Sequence, residues 1–83
     1  MNYPDWWDWE LEFTPHIRKR MAQRGFNEIA VREMWDRCRR VRPDVEDGRW
    51  VLETTHERSP WEIVVEPDPE TRTVVVITAY PAE

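Results

Sequence analysis

One histidine and two arginines set the first chemical question in this sequence. His16, Arg20 and Arg24 recur every four residues, inside a segment that runs Thr14-Pro15-His16-Ile17-Arg18-Lys19-Arg20-Met21-Ala22-Gln23-Arg24-Gly25. On a helix, His16 and Arg20 stand one turn apart on one flank, about 6 Å between Cβ atoms. That span suits a single phosphate. A histidine, with an ordinary pKa of about 6.5, can take a proton from a ribose 2′-hydroxyl or give one to a leaving 5′-oxygen. An arginine one turn away can hold the phosphate through two parallel hydrogen bonds and stabilise its charge in the transition state. The chemistry so described is RNA cleavage without a metal. The hydroxyls of Thr78 and Tyr80, near the other end of the chain, could orient the same phosphate. Each residue also has a plain structural reading. His16 can hydrogen-bond a strand or a carboxylate, and Arg20 and Arg24 can pair with acids. Arg24, close to the apolar stripe of Ile17 and Met21, is the most scaffold-like. Thr and Tyr favour strands with no chemistry at all.

Other reactive types lack supporting patterns. His56 sits at the end of a predicted strand, and an exposed loop position is expected for it. Cys38 is the only cysteine, so no intramolecular disulfide can form. It has core parity on a predicted helix, where a thiol is inert. The two histidines and scattered acids show no metal-ligand spacing. With only Gly25 and Gly48 there is no phosphate-binding glycine loop. No cofactor is expected.

Charge is segregated along the chain. Residues 1–15 hold four acids and no Lys or Arg, residues 16–42 nine bases and three acids, and residues 43–83 three bases and ten acids. The whole carries −5, which argues against a general nucleic-acid coat, yet the basic middle leaves room for a local anion site. The Arg37, Arg39, Arg40 and Arg42 cluster could track a nucleic-acid backbone or receive an acidic partner. Neither a signal peptide nor a spanning segment is expected, and a reducing cytoplasm is the simplest compartment.

Eighty-three residues make one small domain. Trp7, Trp9, Leu11 and Phe13 alternate with acids, which predicts a half-buried strand with Trp7 and Trp9 inside. Trp6 has the opposite parity and is expected at the surface, as an anchor for a partner. Thr14 caps a first helix, Pro15 opens it and Gly25 closes it. Asn27 caps a second, Glu28 to about Arg40, with Phe26 and Val31 as a hydrophobic staple. Val31, Met34, Trp35 and Cys38 form its core face, which Ile29 does not fit. Asp47-Gly48 is a turn. Strands are expected over Arg49–His56, Trp61–Glu66 and Arg72–Tyr80, with 67–70 a turn because neither proline serves a ladder interior. The last strand, apolar on both sides, should be central, with Thr78 and Tyr80 sharing the parity of Val74 and Val76. The expected fold is α+β: strand, helix, helix, strand, strand, strand, with both helices on one face of a mainly antiparallel sheet.

This order resembles the RelE/ParE-like toxin fold. The phrase Phe-Thr-Pro-His16-x3-Arg20-x3-Arg24-Gly-Phe, the helix after it, the Asp-Gly turn and the closing Val-Val-Val-Ile-Thr78-x-Tyr80 strand resemble a large group of small bacterial domains. That group is similar to BrnT and to RelE/ParE-type toxins. The likeness spans about residues 10–81. It implies a toxin held by a cognate antitoxin, with His16 and Arg20 as catalytic residues of an endoribonuclease and Arg24, Thr78 and Tyr80 contacting RNA. It also implies that the Thr-x-Tyr strand end lies near the helical phrase. Relatives of this fold include gyrase poisons as well as ribonucleases, so fold alone does not choose the chemistry. The acidic, Trp-rich lead-in from Tyr3 to Trp9 and the net charge depart from the pattern. Both point to a non-catalytic protein-binding module as the alternative. The first strand, if it lies at a sheet edge, offers a route to a homodimer.

Overall fold

The local signals are met where they need only nearby atoms. In the computed structural model, which describes residues 2–82, the Thr14 hydroxyl accepts the Ile17 amide at 3.2 Å. The Asn27 side chain accepts the Ala30 amide at 2.9 Å. Gly25 takes a left-handed φ of 71° and Gly48 one of 85°. Met1, at the head of the lead-in, and Glu83 lie outside the described residues. The elements in order are β1 (Glu10–Phe13), α1 (Pro15–Arg24), α2 (Glu28–Asp36), β2 (Arg40–Pro43), β3 (Trp50–His56), β4 (Ser59–Asp68) and β5 (Thr73–Pro81). The five strands form one sheet in the order β1-β5-β4-β3-β2. Every neighbouring pair is antiparallel except β1 with β5. Both helices sit on one face, where Ile17, Met34, Leu52, Ile63, Val65, Val74 and Val76 are buried. Burying each such side chain contributes about 1.5–3 kcal/mol. The expected α+β layout therefore holds, and β5 is interior.

Several boundaries fall elsewhere, each for a non-local reason. The first strand begins at Glu10, not Trp7. Residues 4–9 instead make two successive turns, with the Trp7 amide on the Pro4 carbonyl at 3.0 Å and the Trp9 amide on that of Trp6 at 3.1 Å. The turns reverse the expected parity. Trp6 is only 8 % exposed, while Trp7 and Trp9 are partly buried. Trp6 lies against Trp7, Trp35 and Trp50, with ring centroids 5.9–6.3 Å apart. The second helix stops at Asp36, about one turn early. The Arg39 amide reaches the Glu53 carbonyl at 2.8 Å, and Arg40–Pro43 pairs with β3. Arg39, Arg40 and Arg42 thus belong to a sheet edge and its approach, not to a helix end. Ile29 is 67 % exposed.

β4 is longer than expected at both ends. It runs through Pro67 to Asp68, because β3 has already ended opposite Val65, and on that side Pro67 needs no N–H. The turn shifts to 69–72, where Arg72 takes φ 56°. At the other end, the expected loop around His56–Pro60 is a two-residue hairpin turn. Glu57 and Arg58 have φ of 51° and 67°, the left-handed pair that a tight hairpin demands. His56 is consequently mostly buried, its ring edge-on to Trp61 at 5.1 Å.

Candidate functional site

α1 carries the helical residues as its capping dictates. Ile17 and Met21 face the sheet, which turns His16 to solvent and leaves Arg20 half-buried. Arg20 is occupied on its own helix, its guanidinium donating to the Gln23 amide oxygen at 2.6 Å. Arg24 leaves the helix and donates to the Ala79 carbonyl at 2.7 Å. β1 has ended opposite Val76, so the last residues of β5 have no strand on that side. Arg24 serves that uncovered edge.

Thr78 and Tyr80 do not have the parity of Val74 and Val76. The register between β4 and β5 slips at Val64/Val65, where Thr78 pairs with Val64 but Val76 pairs with Val65. This bulge gives β5 one extra residue, Ile77. It throws Thr78 and Tyr80 onto the face away from the helices, while Ala79 takes the core side. The strand end and the helical phrase meet through the Ala79 backbone, not through the two hydroxyls. His16 and Arg20 share a flank of α1, and Thr78 and Tyr80 share the opposite face of the sheet.

On that open face Tyr80 belongs to a polar network that the sequence did not reveal. Its hydroxyl donates to Glu62 at 2.8 Å. Arg42 bridges Glu53 at 2.8 Å and Glu62 at 3.0 Å, joining β2, β3 and β4. Partial burial first, then the bond to anionic Glu62, push the Tyr80 phenol above its ordinary range. The bond to Glu53 is the main cause that raises Arg42. Arg42, Glu53, Glu62 and Tyr80 lie on four adjacent strands, a relation visible only once β2 is known to exist.

A hollow lies on the helical side. A groove of about 340 Å3 runs between the lead-in and α2, lined by Trp7, Trp9, Leu11 and Trp35, with Asp8, Asp36 and Arg32 at its rim. Trp7 and Trp35 stack at 4.7 Å and form its floor. Arg18 and Arg32 both lie over Phe13, at 5.8 and 5.7 Å, and Arg72 lies over Trp9 at 5.6 Å. The Trp-rich lead-in signals this surface in the sequence, and the spacing of Arg32, Trp35 and Asp36, which share one side of α2, is the further signal that would complete it. Cys38 is half-buried, its thiol donating to the Arg40 carbonyl at 3.3 Å, and burial raises its pKa. Among the described residues no three His, Cys, Asp or Glu side chains are gathered as a metal site. Among the described residues no helix is long and apolar enough to cross a membrane.

Among known families, the one described as a domain of unknown function, DUF4258, matches residues 13–81. No curated protein and no solved structure matches the chain. The match begins at Phe13, so Trp7, Trp9 and Leu11 precede it, while Arg32 and Trp35 fall within it.

Proposed function

The chain belongs to the DUF4258 family, and from that premise we propose that it is a protein-binding module on a toxin-like fold, acting in a bacterial cytoplasm. One observation carries the reading: the open groove floored by Trp7 and Trp35. Its rim holds two aspartates and one arginine, which favours a partner segment that inserts an apolar anchor beside a cation. Tryptophan and arginine are the side chains that most often dominate such contacts. A cognate antitoxin-type protein encoded beside this chain is the partner we propose. Groove walls contributed from before residue 13 fit a partner particular to this chain. The test is a titration of the neighbouring gene's product, followed by the protein's tryptophan fluorescence. Trp9→Ala and Asp36→Arg should each weaken binding by about tenfold or more, the loss of roughly 1.4 kcal/mol or more, the first by removing an apolar wall and the second by setting a like charge against the partner's cation. Binding that neither substitution alters would sink the proposal.

A second reading, an endoribonuclease toxin acting through His16 and Arg20, draws on their shared flank of α1, where His16 is exposed and Arg20 half-buried. Induction in bacteria separates the two. A toxin arrests growth, and His16→Ala and Arg20→Ala relieve the arrest while remaining folded. A binding module causes no arrest, and the pure protein leaves RNA intact.

A further inference from the structure

The two free edges of the sheet carry opposite charge on the same face. β1 and β2 are its outermost strands, each four residues long, and each leaves backbone donors and acceptors on its outer side. On β1, Leu11 and Phe13 pair with Val74 and Val76 on the core side, so Glu10 and Glu12 point to the open face. On β2, Val41 pairs with Leu52 on the core side, so Arg40 and Arg42 also point to the open face. Among the described residues, Glu10, Glu12 and Arg40 form no ion pair. Arg42 leans inward to Glu53 and Glu62.

From these edges we propose that the chain assembles head to tail, β2 of one copy adding to β1 of the next. The strand directions allow it. β1 runs parallel to β5 and β3, and β2 runs opposite to them. A second copy moved sideways along the sheet therefore meets the first with antiparallel strands and with helices on the same side. In the register that sets Leu11 opposite Val41, Glu10 faces Arg42 and Glu12 faces Arg40. Apolar meets apolar on the core side, and acid meets base on the open side. Directly opposed charges of this kind stabilise an antiparallel pair, and like charges destabilise it. The same rule disfavours the symmetric alternatives. β1 against β1 sets Glu10 against Glu12, and β2 against β2 sets Arg40 against Arg42. The contact is thus heterologous, and unless its rotation closes a ring it continues as an open array. Four-residue strands make it weak and concentration-dependent. Leu11 of β1 also lines the groove, but β2 has no part in it, so Arg40→Glu tests the assembly separately from partner binding.

Sedimentation equilibrium from about 10 μM to about 1 mM covers the range of such weak contacts. The average mass should rise above the 10.2 kDa monomer with concentration, and fall back in about 1 M salt, where screening is nearly complete. Glu12→Arg alone and Arg40→Glu alone should each associate about tenfold more weakly. An equimolar mixture of the two should regain association, because each carries the edge the other lacks. Both positions are exposed, and matching circular-dichroism melts check that the variants fold. Should either melt differ, Glu12→Gln and Arg40→Gln at the same positions give a smaller weakening. A wild-type monomer throughout, association untouched by these substitutions, or a mixture no heavier than its parts overturns the proposal.

Discussion

Removing the Arg24 guanidinium distinguishes a scaffold residue from a substrate contact. Arg24→Met keeps the length and apolar stem of the side chain but deletes the donor to Ala79. The bond is short, 2.7 Å, and its donor is charged. Hydrogen bonds to charged groups contribute about 1.5–3 kcal/mol when shielded. Arg24 is exposed, so water replaces part of the loss, and about 1 kcal/mol is expected. For a chain of this size that lowers Tm by about 4–8 °C. In urea it lowers the midpoint by about 0.5–1 M, at an unchanged slope near 1–2 kcal/mol/M. Tryptophan fluorescence reports it, since the rings of Trp6, Trp7, Trp35 and Trp50 lie in one connected cluster. Arg20→Met is the internal control. Among the described residues its guanidinium bonds only to Gln23 on the same helix, and the change should stay within about 0.5 kcal/mol. If Arg24→Met is as neutral as Arg20→Met, the guanidinium is not holding the β5 edge. Its place as scaffold then fails.

Other outcomes follow from the same structure. Replacing Glu57-Arg58 by Asn-Gly, which adopts positive φ at little cost, should stabilise the chain by about 1–2 kcal/mol, read as a higher Tm. Trp6→Ala should destabilise by about 3–5 kcal/mol, a loss that an exposed anchor would not show in thermal unfolding. The Tyr80 phenol is raised by burial and by Glu62, so the folded state holds that proton more tightly than the unfolded chain. The stability this brings is present below the ordinary phenol value, about 10, and is lost as pH rises through the higher folded value. Tyr80→Phe should flatten that alkaline loss in urea titrations run across the same pH range, and an unchanged profile would contradict the hydrogen bond.

Parity misplaced the predicted site residues because parity is counted along one strand. An extra residue at the β5 bulge is invisible in Val-Val-Val-Ile-Thr-Ala-Tyr, all of which suit a strand equally well. It is the pairing with β4 that forces Ile77 out of step and sends Tyr80 toward Glu62. β2 escaped notice for a related reason. Arg39-Arg40-Val41-Arg42 carries helix-compatible residues, and only the partner strand, ten residues later, makes it extended.

The capped helix that carries His16 and two spaced arginines is fixed by sequence to a definite extent. Thr14, Pro15 and Gly25 determine where α1 starts and stops, and Ile17 and Met21 determine which side it buries. Asn27 and Asp47-Gly48 likewise set a helix start and a turn. Each acts through atoms within a few residues, so the local chain contains the whole cause. The tertiary structure alone decided the burial of Trp6, the parallel β1–β5 pair, the β2 edge, the outward turn of Tyr80 and the employment of Arg24 on Ala79. Those depend on hydrogen bonds and contacts between segments tens of residues apart, whose energies outweigh local preference but leave no period in the sequence.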